Sequence, residues 1–138
     1  MQGAHTKGIE MDYYVIAAKL YLINLALLFT HEIDSAFWHE WDLFNLPGGI
    51  DLFLIVNLVL IIVFLTGFEK VAAWKNGAWT YSLILALTGI GAFVIHMSFI
   101  VNGNPKFTTF ISLSILILTF FISLGQLIFL IPIRKNRH

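Results

Sequence analysis

The sequence predicts an all-α integral membrane protein, an up-down bundle of four transmembrane helices with a short amphipathic helical segment after the first span. Of its 138 residues, 59% are hydrophobic and only 12% are charged, against roughly 25% charged in an ordinary soluble domain. Four apolar stretches are each long enough to cross a hydrocarbon core about 30 Å thick as a helix. These stretches lack the alternation of β-barrel strands, so their backbone polar groups must pair within helices.

The four stretches form one predicted domain, residues 1–138, and are separated by short connections. The predicted spans cover about residues 13–30, 52–68, 78–101 and 107–131. Short connections make consecutive helices antiparallel neighbours. The first stretch is interpreted as a retained span and not as a signal peptide, because no small-x-small cleavage site follows it. Within the spans, Asn24 and Gln126 are predicted to hydrogen-bond between helices.

The distribution of positive charge predicts the orientation of the bundle. Seven of the eight Lys and Arg residues lie near the start of span one, between spans two and three, or after span four, whereas Lys106 lies on the other side. Connections rich in Lys and Arg stay in the cytoplasm. Both termini are therefore predicted to be cytoplasmic, with the connection of residues 31–51 facing outward.

The composition also excludes several classes of site and partner. The chain has no Cys, which excludes disulfides, thiolate metal sites and iron–sulfur clusters. A formal net charge of +0 without an extended basic patch excludes nucleic acid as a partner. The predicted partners are the lipid bilayer, a second copy of the chain in a homo-oligomer, and a small-molecule or lipid-like ligand.

An acidic segment after the first span carries most of the candidate functional residues. The pattern His-Glu-x-Asp begins at His31 and again at His39, and no Lys or Arg occurs between residues 20 and 69. At about 100° per residue, one arc of the helical wheel carries His31, Glu32, Asp34, Ser35, Trp38, His39 and Asp42. Glu40 lies apart from this arc and is predicted to be solvated. The run Leu46-Pro47-Gly48-Gly49 ends the amphipathic helix.

His96 in the third predicted span completes the candidate site. It lies about five residues from the outward end of its span, roughly 8 Å deep, and an ionisable side chain inside a span marks a functional site. Imidazoles and carboxylates that converge at the outer leaflet suit Zn, Mn or Fe(II). The predicted metal ligands are His31, Asp34, His39 and His96. Glu32 and Asp42 are predicted to support these ligands or to act as the general base of a metal-dependent membrane enzyme.

Other interpretations of the same residues remain open. If the acids are solvated and His96 bonds to a backbone carbonyl, the chain is a structural subunit of a larger complex. A small dimeric ion-coupled transporter requires a water path from both sides and an ionisable group near the midplane. Haem b between His31 and His96 is a further alternative. For an enzyme, the aromatic flank of the segment favours a lipid-like substrate; it consists of Phe37, Trp38, Trp41 and Phe44.

Residues 20 to 50 also carry a resemblance to a known family. The segments concerned are Leu20-Tyr21-Leu22-Ile23-Asn24-Leu25-Ala26-Leu27, Thr30-His31-Glu32-Ile33-Asp34, Trp38-His39-Glu40-Trp41-Asp42-Leu43-Phe44 and Leu46-Pro47-Gly48-Gly49. They resemble a family of small four-span bacterial membrane proteins that is classed only as a domain of unknown function. The resemblance implies an uncharacterised protein of the bacterial inner membrane, and it implies no substrate.

Overall fold

A computed structural model gives the fold; it describes the backbone of residues 2–135 and the side chains of residues 12–131. Within this part the chain is helical and contains no strand, and its helices are α1 (Gln2–Phe37), α2 (Glu40–Leu43), α3 (Ile50–Ala72), α4 (Ala78–Val101) and α5 (Phe110–Lys135). Four segments are long and apolar enough to cross a membrane: Asp12–Phe37, Ile50–Ala72, Ala78–Val101 and Phe110–Ile131. The predicted fold class is therefore confirmed.

The four long helices pack around a common interior. Each of α1, α3, α4 and α5 contacts its two neighbours in the order α1–α3–α4–α5–α1, and α1 also meets α4 across the bundle. We call the end formed by residues 38–49 and 102–109 the site end. The side chains that support part of the predicted orientation, those of Lys7, Arg134, Lys135 and Arg137, lie outside the described residues.

The helix boundaries differ from the predicted spans where polar side chains continue or cap a helix. The first helix continues to Phe37 because His31 and Ser35 extend its buried face by more than one turn. The last helix begins at Phe110, not at Phe107, because the Ser112 N–H donates to the Thr109 hydroxyl at 3.2 Å. Such a bond satisfies one of the unpaired N–H groups at a helix start.

A buried polar cluster joins three helices deep in the bundle. Asn24 Nδ2 donates to Gln126 Oε1 at 2.8 Å, so both side chains hydrogen-bond between helices as predicted, and they do so with each other. Ser123 Oγ donates to Asn24 Oδ1 at 3.1 Å, and Gln126 Nε2 donates to the Ser82 carbonyl at 3.0 Å. Gly89 permits this close approach, since a methyl group there would collide with Ser123 Oγ. The cluster therefore fixes α1, α4 and α5 relative to one another.

Candidate metal centre

The chain reverses direction just after α1, and this reversal decides which polar side chains face the interior. His39 adopts a left-handed conformation, with φ 53° and ψ 57°, so a right-handed helix cannot continue through it. The short α2 begins directly afterwards. Its first residue, Glu40, is only 9% exposed, whereas the His39 side chain is 63% exposed. The prediction that Glu40 is solvated is wrong, because the helical wheel assumed an unbroken helix.

Three side chains from separate elements meet at the site end: His31 of α1, Glu40 of α2 and His96 of α4. All three are buried, and one ligand atom of each lies within 4.8 Å of the others. The two imidazole rings meet edge to face, with 4.5 Å between their centroids. His96 Nε2 lies 3.4 Å from Glu40 Oε1. We call this group the His31–Glu40–His96 cluster.

The backbone of α4 determines which nitrogen of His96 is free to act as a ligand. Nδ1 lies 2.7 Å from the Ala92 carbonyl oxygen, and because a carbonyl only accepts, Nδ1 must be the donor. In a neutral imidazole the lone pair then lies on Nε2. His96 Nε2 and Glu40 Oε1 are thus two electron-rich atoms that face each other at 3.4 Å. This arrangement is favourable when a proton or a cation lies with them.

The cluster also contains buried atoms that lack hydrogen bonds. His31 Nδ1 and His96 Nε2 are buried and have no hydrogen-bond partner, although leaving a buried polar group unpaired costs about 1–3 kcal/mol. Burial alone would raise the pKa of Glu40, but the neighbouring His96 and Ser35 side chains hold this pKa below its ordinary value. The cluster therefore favours a cation beside the Glu40 carboxylate, either a proton on His96 Nε2 or a metal ion between the donors.

Phe107 closes the cluster on the side of α5. Its ring is fully buried, with its centroid 4.4 Å from that of His96 and 6.1 Å from that of His31. Its φ of 63° is a conformation that bulky residues rarely adopt, at a cost of about 1–3 kcal/mol. Because the two imidazoles contact each other directly and Phe107 packs on both, a porphyrin does not fit between them. The geometry does not support the haem alternative.

The other predicted ligands lie outside the cluster. Asp34 accepts a hydrogen bond from Ser112 Oγ at 2.9 Å and thereby joins α1 to α5. His39 and Asp42 lie together at the surface, with 3.9 Å between His39 Nδ1 and Asp42 Oδ2 and both side chains more than half exposed. Of the four predicted ligands, the structure therefore brings only His31 and His96 together, and Glu40 supplies the carboxylate.

A cleft of about 290 Å³ opens beside the cluster, between α1 and α4. Its polar end is formed by His31, Glu32, Glu40 and His96, and the rest of its lining by Phe44, Thr88, Gly91, Ala92 and Ile95. Glu32, a predicted catalytic residue, is half-buried here, and its carboxylate lies within hydrogen-bonding reach of Asn57 on α3. Glu32 is therefore next to the cluster without being part of it.

Two imidazoles and one carboxylate form a donor set of known chemistry. It occurs in hydrolytic zinc sites, which keep a further position for water, and in non-haem iron sites. Bonds of about 2.1 Å at tetrahedral angles place two donors about 3.4 Å apart. The His96–Glu40 pair already has this spacing, and the widest separation in the cluster, up to 4.8 Å, has to close by about 1.4 Å.

Comparison with known proteins places the chain in a family. No curated protein and no solved structure matches it. A family model does match, over residues 17–133, and this range includes the whole cluster and the cleft. The match confirms the resemblance to a family of unknown function that residues 20 to 50 indicated. The chain belongs to the family of unknown function DUF6713.

Proposed function

We propose that this protein is an integral membrane protein that binds a divalent transition-metal ion through His31, Glu40 and His96. One observation carries the proposal: two imidazole nitrogens, His31 Nδ1 and His96 Nε2, are buried without hydrogen-bond partners in a cluster with a carboxylate. A metal ion supplies the missing partner to both nitrogens and offsets the charge of Glu40. Zn²⁺, Mn²⁺ and Fe²⁺ are the ions that such a mixed donor set suits.

Hydrolysis is the reaction class that this centre supports. Three protein donors leave a coordination position for water, and a bound metal ion makes that water acidic enough to supply hydroxide near neutral pH. Glu32 lines the same cleft, so it is the candidate general base that accepts the proton from water. Asp42 is exposed and takes no part in this proposal.

Elemental analysis of protein purified in mild detergent without chelators tests the proposal. We expect about one metal ion per chain in the wild type, retained in His39→Ala and lost in His96→Ala. His39→Ala is the matched control, because it removes an exposed histidine that lies outside the cluster. Circular dichroism of each variant shows whether it is folded. A folded wild type that holds no metal, even after incubation with Zn²⁺, Mn²⁺ or Fe²⁺, would contradict the proposal and leave a proton as the shared cation of the cluster.

We further propose that the protein lies in the bacterial inner membrane, with both termini cytoplasmic and the site end outward. Lys70 and Lys75 flank the turn at the opposite end of the bundle, whereas Lys106 lies at the site end. Because the chain has no Cys, single-Cys variants report the orientation directly. A membrane-impermeant maleimide is expected to label Asn102→Cys in intact cells and Asn76→Cys only after permeabilisation. The reverse labelling pattern would contradict the proposed orientation and would mean that the site end faces the cytoplasm.

The buried polar cluster that joins α1, α4 and α5 does not favour the transporter alternative. Asn24, Ser123 and Gln126 are buried and bond to one another, so their polar groups are not available to line an ion path. The alternative of a purely structural subunit predicts that no variant of the His31–Glu40–His96 cluster changes metal content. The elemental analysis therefore distinguishes this alternative from the proposed function.

A further inference from the structure

The cleft beside the cluster lies within the depth of the membrane. Its lining on α4 extends from Thr88 to His96, about 12 Å along the helix axis at 1.5 Å per residue. This stretch belongs to the membrane-spanning segment Ala78–Val101, and one leaflet contributes about 15 Å of hydrocarbon. The cleft therefore follows most of one leaflet, and Ile95, which lines it, is 43% exposed on the outside of the bundle at this depth.

The cleft is polar at one end and apolar along the rest of its length. The polar end is formed by the His31–Glu40–His96 cluster and Glu32, whereas Gly91, Ala92 and Ile95 belong to the rest of the lining. The Thr88 hydroxyl donates to the Ile84 carbonyl at 2.9 Å, so it is satisfied within its own helix. Apart from its chain neighbours and the nearby backbone of α4 itself, nothing lies within 4 Å of a methyl group placed on Gly91. The cleft thus has open space for an apolar chain directly below the polar end.

The charges at the polar end restrict the group that enters it. Two carboxylates, Glu32 and Glu40, line it, and no Lys or Arg is found among its described lining residues. An anionic phosphate would be repelled by the Glu40 carboxylate, with only the metal ion to attract it. An uncharged carbonyl oxygen avoids this repulsion and is a suitable ligand for a Lewis-acidic metal.

We propose that the cleft binds one acyl chain of a membrane lipid and that the ester carbonyl oxygen of this chain faces the metal ion. The inference rests on the proposed metal centre and names acyl esters of membrane lipids as its substrate class. The volume of about 290 Å³ is at the lower limit of ligand cavities, roughly 300–1,000 Å³, which fits one chain better than a whole two-chain lipid. The second chain and the headgroup remain in the bilayer.

Photo-crosslinking in vesicles tests the inference. The protein is reconstituted in phosphatidylcholine that contains a small fraction of phosphatidylcholine with a diazirine in one acyl chain, and labelled peptides are mapped by mass spectrometry. Metal content is measured on the same samples. Within residues 88–95, we expect labelling of the cleft residues Thr88, Gly91, Ala92 and Ile95 to be several-fold higher than that of the exposed α5 face. This face consists of Ile117, Leu118 and Phe121, within residues 117–121. Gly91→Leu, which fills the cleft, is expected to reduce this excess several-fold while the metal is retained.

Gly125→Leu is the matched control, because Gly125 is a helical glycine with equally open space that lies outside the cleft. It is expected to leave both labelling and metal content unchanged. If metal is bound but residues 88–95 are labelled no more than the α5 face, the lipid inference fails and the metal centre stands. If the wild type binds no metal, the proposed function fails, and the carbonyl–metal contact fails with it.

Discussion

Replacement of Glu40 by alanine is expected to lower the affinity for Zn²⁺ by more than about 100-fold. Loss of a group that merely supports a metal ligand typically costs 10–100-fold, and Glu40 is both a proposed ligand and the negative charge of the cluster. Glu40→Gln keeps the shape of the side chain and removes its charge, so a large loss is expected there too. Competition with a chromophoric chelator in detergent at neutral pH measures these affinities.

Asp42→Ala provides the control for this prediction. Asp42 lies two residues further along the same short helix, but its side chain is 62% exposed, so its removal is expected to change the affinity by less than about twofold. If Asp42→Ala or His39→Ala weakens binding as much as Glu40→Ala does, the proposed ligand set is wrong. The helicity of each variant, measured by circular dichroism, separates loss of the site from loss of the fold.

Replacement of Asn24 by leucine is expected to lower the free energy of unfolding by about 1–3 kcal/mol, the usual cost of leaving buried polar groups unpaired. A single hydrogen bond between membrane helices contributes only about 0.6 kcal/mol on average. The larger effect is expected here because the change leaves both Gln126 Oε1 and the Ser123 hydroxyl without their partner. Unfolding in mixed micelles with increasing dodecyl sulfate, followed by circular dichroism, measures the change.

A double-mutant cycle isolates the contribution of the pair. Asn24→Leu combined with Gln126→Leu is expected to cost less than the sum of the two single changes, because the double variant no longer holds one partner unpaired. Asn76→Leu, at an exposed position of the turn between α3 and α4, is the control and is expected to stay within about 0.5 kcal/mol. Strictly additive effects would mean that the remaining partner of each single variant finds another hydrogen bond.

The helices were predictable from the sequence because the membrane leaves the backbone few alternatives. A long apolar stretch in lipid has to satisfy its own N–H and C=O groups, so length and composition suffice. The pairing of His31 with His96 was predictable for a related reason, since the first and third spans of an up-down bundle run in the same direction and end on the same side. The first residue of α5 was harder to predict from the sequence, because it depends on a single capping hydrogen bond to the Thr109 hydroxyl.

The carboxylate of the cluster was not predictable, because it depends on the backbone conformation of one residue. His39 takes the left-handed conformation although it is neither Gly nor Asn, the residues that usually adopt it. A helical wheel through this position places His39 on the polar face and Glu40 away from it, the opposite of what the structure has. The only indication in the sequence was that Glu40 occupies the same place in the second His-Glu pair that Glu32 occupies in the first.

The distribution of the cluster over three elements has a consequence for biogenesis. Glu40 precedes His96 by 56 positions in the chain, which at about 5–20 residues per second corresponds to roughly 3–11 s of synthesis. During this interval the second span is synthesised and the third is still incomplete. The α2 segment then has no α4 against which to dock. Two of the three proposed ligands, His31 and Glu40, are present in the chain before the third, His96, has been synthesised. Under the proposed function, metal loading is therefore a late step of membrane assembly, and a chain interrupted before the third span inserts has no complete centre to load.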